Sequence, residues 1–296
     1  MTYNLGSQLQ TTQKPPAGVG RLGSILAVIG LLAVAGSALA AGPTSTLYLT
    51  AGDQGLNARI PGGTTLAVTS PQAFPAFVGE SAIAISGGSI RTGHNGLYPG
   101  SGGTYDVNFA YTGPALGGPG NAVYDGTTDG TYNYGVSYST GTVLRYDLNW
   151  GSPAALFTAT GSNPVGITYD TSNNSLWTSD FGSGWVRDWS LSGTLLSSFD
   201  TGLGAGFSLA MDQADHTLWL MSVQDSGLIS QFSTSGTFLD EVDFGSPANY
   251  LGAEFSLTPE WAAKPVPEPK SILLGCLGCL LFLGRRWVKR VTAATT

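Results

Sequence analysis

Two stretches of this chain say nearly the same thing 42 residues apart. "PVGITYDTSNNSLWTSD" (164–180) lines up with "GFSLAMDQADHTLWLMS" (206–222). Tyr169-Asp170 stands against Met211-Asp212, and Leu176-Trp177 against Leu218-Trp219. Leu191 to Leu195 matches Thr234 to Phe238 at an offset of 43, and "AVYDGTTDGTYNY" places Tyr124-Asp125 45 residues before Tyr169-Asp170. Self-similarity at this period means one supersecondary unit repeated along the chain, which is a stronger constraint than any single motif.

Each copy holds four short extended runs separated by Asp, Asn, Ser and Gly. In one copy these are Val165 to Tyr169, Ser175 to Ser179, Trp185 to Trp189 and Thr194 to Phe199. Apolar and polar residues alternate within the runs, and turn residues punctuate them, the pattern of an antiparallel meander. Four strands in some 42 residues predict one blade of a β-propeller. The repeats resemble NHL and related propeller repeats. "LYLTAGDQGLNARIPGGTTLAV" (47–68) matches only the last three strands of a blade, and "YLGAEFSL" (250–257) only a first strand. Joining them builds one blade from both ends of the domain and removes exposed sheet edges. The span 81–113 reads as a shortened, irregular blade. Leu47 to Leu257 then holds five units, with six as the alternative count; a β-sandwich is the rival fold. The 43 glycines fit a turn-rich all-β domain, because Gly is costly inside helices.

Both ends differ from this middle. Lys14 and Arg21 precede the apolar run Ile25 to Ala35, which leads to Ala38-Leu39-Ala40. A basic lead, a short apolar core and an Ala-x-Ala site form a secretory signal peptide, with cleavage expected between Ala40 and Ala41. At the other end Val266-Pro267-Glu268-Pro269 is followed by the uncharged segment Ser271 to Gly284 and then Arg285-Arg286. The basic cluster predicts a transmembrane helix whose C-terminal end is cytoplasmic. Fourteen residues reach about 21 Å at ~1.5 Å per residue, short for a bilayer core. Pro-Glu-Pro, apolar helix and Arg pair together resemble the PEP-CTERM sorting signal of Gram-negative bacteria. That resemblance implies exosortase and the secretion machinery as partners, with inner-membrane anchoring and later transfer to the cell surface or extracellular polymeric substance. The expected organisation is a signal peptide over 1–40, a propeller ectodomain over 41–262 and a sorting tail over 263–296. Both cysteines, Cys276 and Cys279, fall in the apolar tail segment, so no disulfide supports the ectodomain.

Charge narrows the function classes. Between Asp53 and Lys270 lie all nineteen acidic residues against six basic ones, a balance of −13, which repels nucleic-acid phosphates and excludes nucleic acid as a partner. Gly206-Phe207-Ser208-Leu209-Ala210 approaches a nucleophile elbow, but Ser208 falls in a predicted first strand with no helix behind it. His94 and His216 are the only histidines and lack metal-ligand spacing; His216 aligns with the turn residue Asn174. "DGTTDGTYN" (125–133) and "DTSNNS" (170–175) crowd oxygen side chains as a calcium loop does, without the downstream Glu of an EF-hand; Asp and Asn that start turns explain them more simply. No catalytic residue, metal ligand or cofactor is assigned. Trp150, Trp177, Trp185, Trp189 and Trp219 invite a sugar-stacking reading, but Trp177 and Trp219 sit at matched strand positions and read as packing between blades, and Trp185 reads as core despite its Gly-Ser-Gly lead. The expected role is a binding or matrix-associated module, with extracellular polysaccharide or protein as partner. The alternative is a metal-dependent, lactonase-like hydrolase using Asp125, Asp170 and Asp212, although residues that recur in every repeat suit turns better than catalysis.

Overall fold

A computed structural model describes residues 42–258, apart from 52–55, 64–66, 70–79, 95–101, 115–117, 121, 162, 205, 223–226 and 246–249. Their strands form five four-stranded antiparallel sheets. The signal-peptide and sorting-tail assignments, Ala38, Ala40, Ala41, Val266 to Pro269 and Arg285-Arg286 included, lie outside the described residues.

Four blades are local in sequence. Blade two is β4 (Glu80–Ser86), β5 (Ser89–His94), β6 (Gly103–Asp106) and β7 (Tyr111–Pro114). Blade three is β8 (Thr127–Thr128), β9 (Asn133–Val136), β10 (Thr142–Tyr146) and β11 (Ala154–Thr158). Blade four is β12 (Pro164–Asp170), β13 (Ser175–Asp180), β14 (Trp185–Ser190) and β15 (Leu195–Asp200). Blade five is β16 (Gly206–Asp212), β17 (Thr217–Ser222), β18 (Leu228–Ser233) and β19 (Phe238–Asp243). Blade one is composite: β1 (Thr46–Ala51), β2 (Leu56–Pro61) and β3 (Ala67–Thr69) take their inner strand from β20 (Gly252–Phe255). Leu47 pairs with Phe255 and Leu49 with Ala253, so the two ends of the domain seal the ring. Blade two, expected to be shortened, keeps all four strands; only its outer pair is abbreviated, to four residues each.

The repeated Leu-aromatic pair explains how the ring is held. Successive residues of a strand face opposite sides of the sheet, so the pair sends one side chain to each neighbouring blade. Leu176 packs with Tyr134, Val136 and Val143 of blade three, while Trp177 packs with Leu209 and Met211 of blade five. Leu218 joins the cluster with Trp177, and Trp219 joins Leu47, Leu49 and Ile60 of blade one. Leu47 faces blade five, and Tyr48 faces Ile83, Ile85 and Tyr105 of blade two. Ala82 and Ala84 meet Tyr146 and Trp150 of blade three. Five apolar clusters thus fill five blade interfaces. Each fully buried large side chain in them contributes about 1.5–3 kcal/mol.

Candidate functional site

The inner strands β4, β8, β12, β16 and β20 neighbour one another around the axis, and each offers there one edge that its own sheet leaves unpaired. Buried N–H groups on that edge need acceptors. Asp125, just before β8, supplies them. Its Oδ1 accepts from the backbone N–H of Gly126 at 2.9 Å and of Ala253 at 3.0 Å. Its Oδ2 accepts from Leu209 at 2.9 Å and Ile167 at 3.1 Å. One carboxylate therefore joins blades three, four, five and one. Burial lifts this carboxyl well above the ordinary range, and the four N–H groups pull the other way. Four donors also fill its acceptor positions.

Glu254 is the second buried acid on the axis. Its Oε1 accepts from Phe255 N–H at 2.9 Å and from the Thr168 hydroxyl at 3.4 Å, whereas Oε2 has no hydrogen-bond partner. Burial, chiefly, and the Asp125 charge push the Glu254 pKa well up; the Thr127 and Thr168 hydroxyls and Phe255 N–H oppose the shift. Of the two acids, Glu254 is the one with an oxygen free to carry a proton. Hydroxyls continue the ring: Thr127 Oγ1 accepts from Tyr169 N–H and Thr168 Oγ1 from Met211 N–H, both at 3.0 Å. Ser208 lies buried within β16 and donates to the Tyr250 carbonyl at 3.3 Å, as a strand residue rather than a nucleophile.

Asp125 is not the repeat partner of Asp170 and Asp212. Thr128 opposes Asn133, Asp170 opposes Ser175 and Asp212 opposes Thr217, each pair closing the hairpin of its blade. The true counterpart is Thr128, and the Tyr-Asp echo at 45 residues is a coincidence three positions out of register. Asp125 is unique within the ring, while Asp170 and Asp212 start turns: their Oδ1 atoms accept from Ser172 and Ala214 N–H at 2.8 and 3.0 Å. Asp129 does the same for Thr131 and Tyr132, both at 2.7 Å. The oxygen-rich loops are thus occupied with their own backbone. Among the described residues no three His, Cys, Asp or Glu side chains are grouped to hold a metal.

His216 and Asn174 occupy equivalent turn positions, with φ of 56° and 59°. His94 ends β5, and burial lowers its pKa. Trp150, Trp177, Trp189 and Trp219 are buried. Trp185 departs from expectation: it is 37% exposed, at the first position of β14 after the Gly-Ser-Gly turn, and the Arg187 guanidinium lies 5.5 Å from its ring. It stands at the end of the ring where Tyr124, Tyr138 and Phe181 form edge-to-face contacts at 5.7 and 5.8 Å. Glu254 escaped the sequence reading, although an acid inside the apolar run "YLGAEFSL" was a signal for it.

No family model matches the chain. No curated protein sequence matches it. Solved structures do. The chain is 12% identical to a chain of a nidogen/laminin complex, with a TM-score of 0.50 over 72% of this chain and 98% of that one. It is 18% identical to virginiamycin B lyase from Staphylococcus aureus in complex with quinupristin, with a TM-score of 0.42 over 70% and 71% of the two chains. A streptogramin B lyase gives 17% and 0.42 over 70% of each. At such identities the likeness is one of fold: a five-bladed, all-β propeller.

Proposed function

We propose that this propeller is a non-enzymatic binding module of the bacterial exterior, delivered by its signal peptide and PEP-CTERM tail through exosortase and there associated with matrix polysaccharide or protein. The observation that carries the binding half is Asp125. It is one of two buried acids on the axis, where a lactonase-like centre would need ligands, and its carboxylate is committed to four backbone N–H groups. An acid so engaged has no oxygen to offer a metal or a substrate. Surface features favour contact with other molecules. The outer strands of blades four and five carry matched exposed pairs, Leu195-Leu196 and Phe238-Leu239, each residue close to half exposed. The aromatic series at Tyr138, Phe181 and Trp185 sits at the end from which the longer connections depart, where binding residues concentrate.

Delivery is tested by expressing the full chain, and a version lacking residues 264–296, in a Gram-negative host that has an exosortase. The full chain is expected in the envelope and matrix fractions and the truncated one free in the medium. Equal distribution of both, or retention of the full chain in the cytosol, contradicts the reading. Metal-dependent lactone hydrolysis by the purified chain would favour the hydrolase alternative.

A further inference from the structure

Seven large apolar side chains are exposed among the described residues, and six of them stand at one end of the ring. Val107 lies in the turn between the third and fourth strands of blade two, and Tyr132 in the turn that precedes β9 of blade three. Leu195-Leu196 open β15 in blade four and Phe238-Leu239 open β19 in blade five, at 47–52% exposure. In a four-stranded meander these turns and strand starts share the end at which the first and third strands finish. Trp185, at the start of β14, is the seventh and lies at the opposite end. Bulges aim the two pairs outward. Asp188 pairs with Ser197 and Trp189 with Leu195, which leaves Leu196 unopposed; Gln231 pairs with Asp240 and Phe232 with Phe238, which leaves Leu239 unopposed. Consecutive residues of a regular strand face opposite sides, and the extra residue of a bulge breaks that alternation. The same bulges interrupt the outer edges of β15 and β19, which disfavours strand pairing with a second copy.

The path of the chain says what this end faces. Strand β1 begins there and β20 finishes there, so the sequence leaves the blades after Phe255 on the apolar-tipped side. Twelve residues, four of them Pro, separate Thr258 from Ser271, the first residue of the expected transmembrane segment. Twelve residues reach at most about 40 Å, and a six-residue strand is about 20 Å long, so this end is the nearer one to a bilayer that holds the tail.

We propose that this face rests on the bilayer surface while the chain is anchored, with Leu195, Leu196, Phe238 and Leu239 seated among the headgroups of uncharged lipid. The proposal rests on the membrane-anchored stage of the delivery reading above. The apolar tips are spread over four of the five blades. A flat, fluid surface accepts tips so dispersed, whereas a protein partner is marked by one contiguous patch. Tyr132 suits the interfacial belt, and Arg145 lies over its ring at 4.3 Å. The turns at this end carry Asp129, Asp147 and Asp215 and neither Lys nor Arg, which favours zwitterionic over anionic headgroups. The first two of these carboxylates are turned to their own backbone: Asp129 accepts from Thr131 N–H at 2.7 Å and Asp147 from Asn149 N–H at 2.9 Å. The tether keeps the face at high local concentration beside the membrane, so a few shallow insertions suffice.

The test uses the full chain with Cys276→Ala and Cys279→Ala, reconstituted by its tail into vesicles of phosphatidylcholine and phosphatidylethanolamine. An environment-sensitive fluorophore is attached through Leu239→Cys or, at the opposite end, through Trp185→Cys. The probe at 239 is expected to emit to the blue, and brominated lipid to quench it at least about twofold more than the probe at 185. Leu195→Glu with Phe238→Glu, both at exposed positions, is expected to return the probe at 239 to water while the chain still floats with the vesicles. Floating chains with both probes in water overturn the docking and leave the delivery reading standing. A blue-shifted probe that brominated lipid does not quench means that a second copy covers the face, which also overturns it. A chain that does not float with the vesicles overturns docking and anchoring together.

Discussion

Gly193 lies against Phe157, leaving no room for a side chain: a β-carbon added to it would sit 2.6 Å from the Phe157 β-carbon. Gly236 has the same relation, at the same distance, to Phe199 one blade on. Both glycines are left-handed, with φ of 84° and 85°, in the turn between the third and fourth strands. In blades two and three the matching turn residues are Phe109 and Trp150, also left-handed at 59° and 61° and themselves buried. Each of these interfaces holds an aromatic ring, donated either by the turn or by the preceding blade's outer strand. Gly193→Ala combines a strained backbone with this contact and is expected to lose about 2–3 kcal/mol in urea unfolding. Phe157→Gly in the same chain, which removes that β-carbon with the ring, should recover the steric share alone, so that the two losses are not additive.

Ring closure rests on the four residues of β20. Without Gly252 to Phe255, strand β1 keeps a free edge, Asp125 loses the Ala253 N–H, and Phe255 leaves the cluster between blades five and one. A chain ending at Leu251 is expected to lose its cooperative unfolding transition and to aggregate, as unprotected strand edges do. Circular dichroism melting and light scattering check this; a sharp transition at the full-length midpoint would contradict it.

The Glu254 acid makes stability pH-dependent in a defined direction. A carboxyl whose folded pKa is raised binds more protons folded than unfolded, so its contribution is complete below the ordinary value of 4.5. That contribution is lost as pH rises from there through the folded pKa. Glu254→Gln keeps a neutral group of similar shape in place. The variant is expected to match the parent at pH 4.5 and to exceed it in urea midpoint at pH 8. A gap that shrinks or reverses with rising pH would contradict the assignment of the proton to Glu254.

How much was legible follows from where the information sits. The blade count and the composite first blade were readable because Leu176-Trp177, Leu218-Trp219 and Leu47-Tyr48 repeat the same two-sided packing duty in adjacent residues. The register of Asp125 was not. Strand β8 is only two residues long, and a chance Tyr-Asp pair masked the true counterpart, Thr128. Glu254 looks like an ordinary polar position in sequence; what makes it unusual is burial by residues from other strands and blades, such as Thr168, 86 positions from Glu254. Trp185 was misjudged because exposure depends on tertiary surroundings that the local sequence does not specify.

The central claim is that Asp125 is the hub tying four blades together rather than a reacting group. Urea unfolding of Asp125→Ala measures it. Removing the carboxylate strands four buried N–H groups, each costing about 1–3 kcal/mol, so a loss of at least about 4 kcal/mol or outright failure to fold is expected. Asp125→Asn, which retains an acceptor oxygen for two of the four donors, should fall between the two. An Asp125→Ala chain that unfolds at the parent's midpoint would contradict the account.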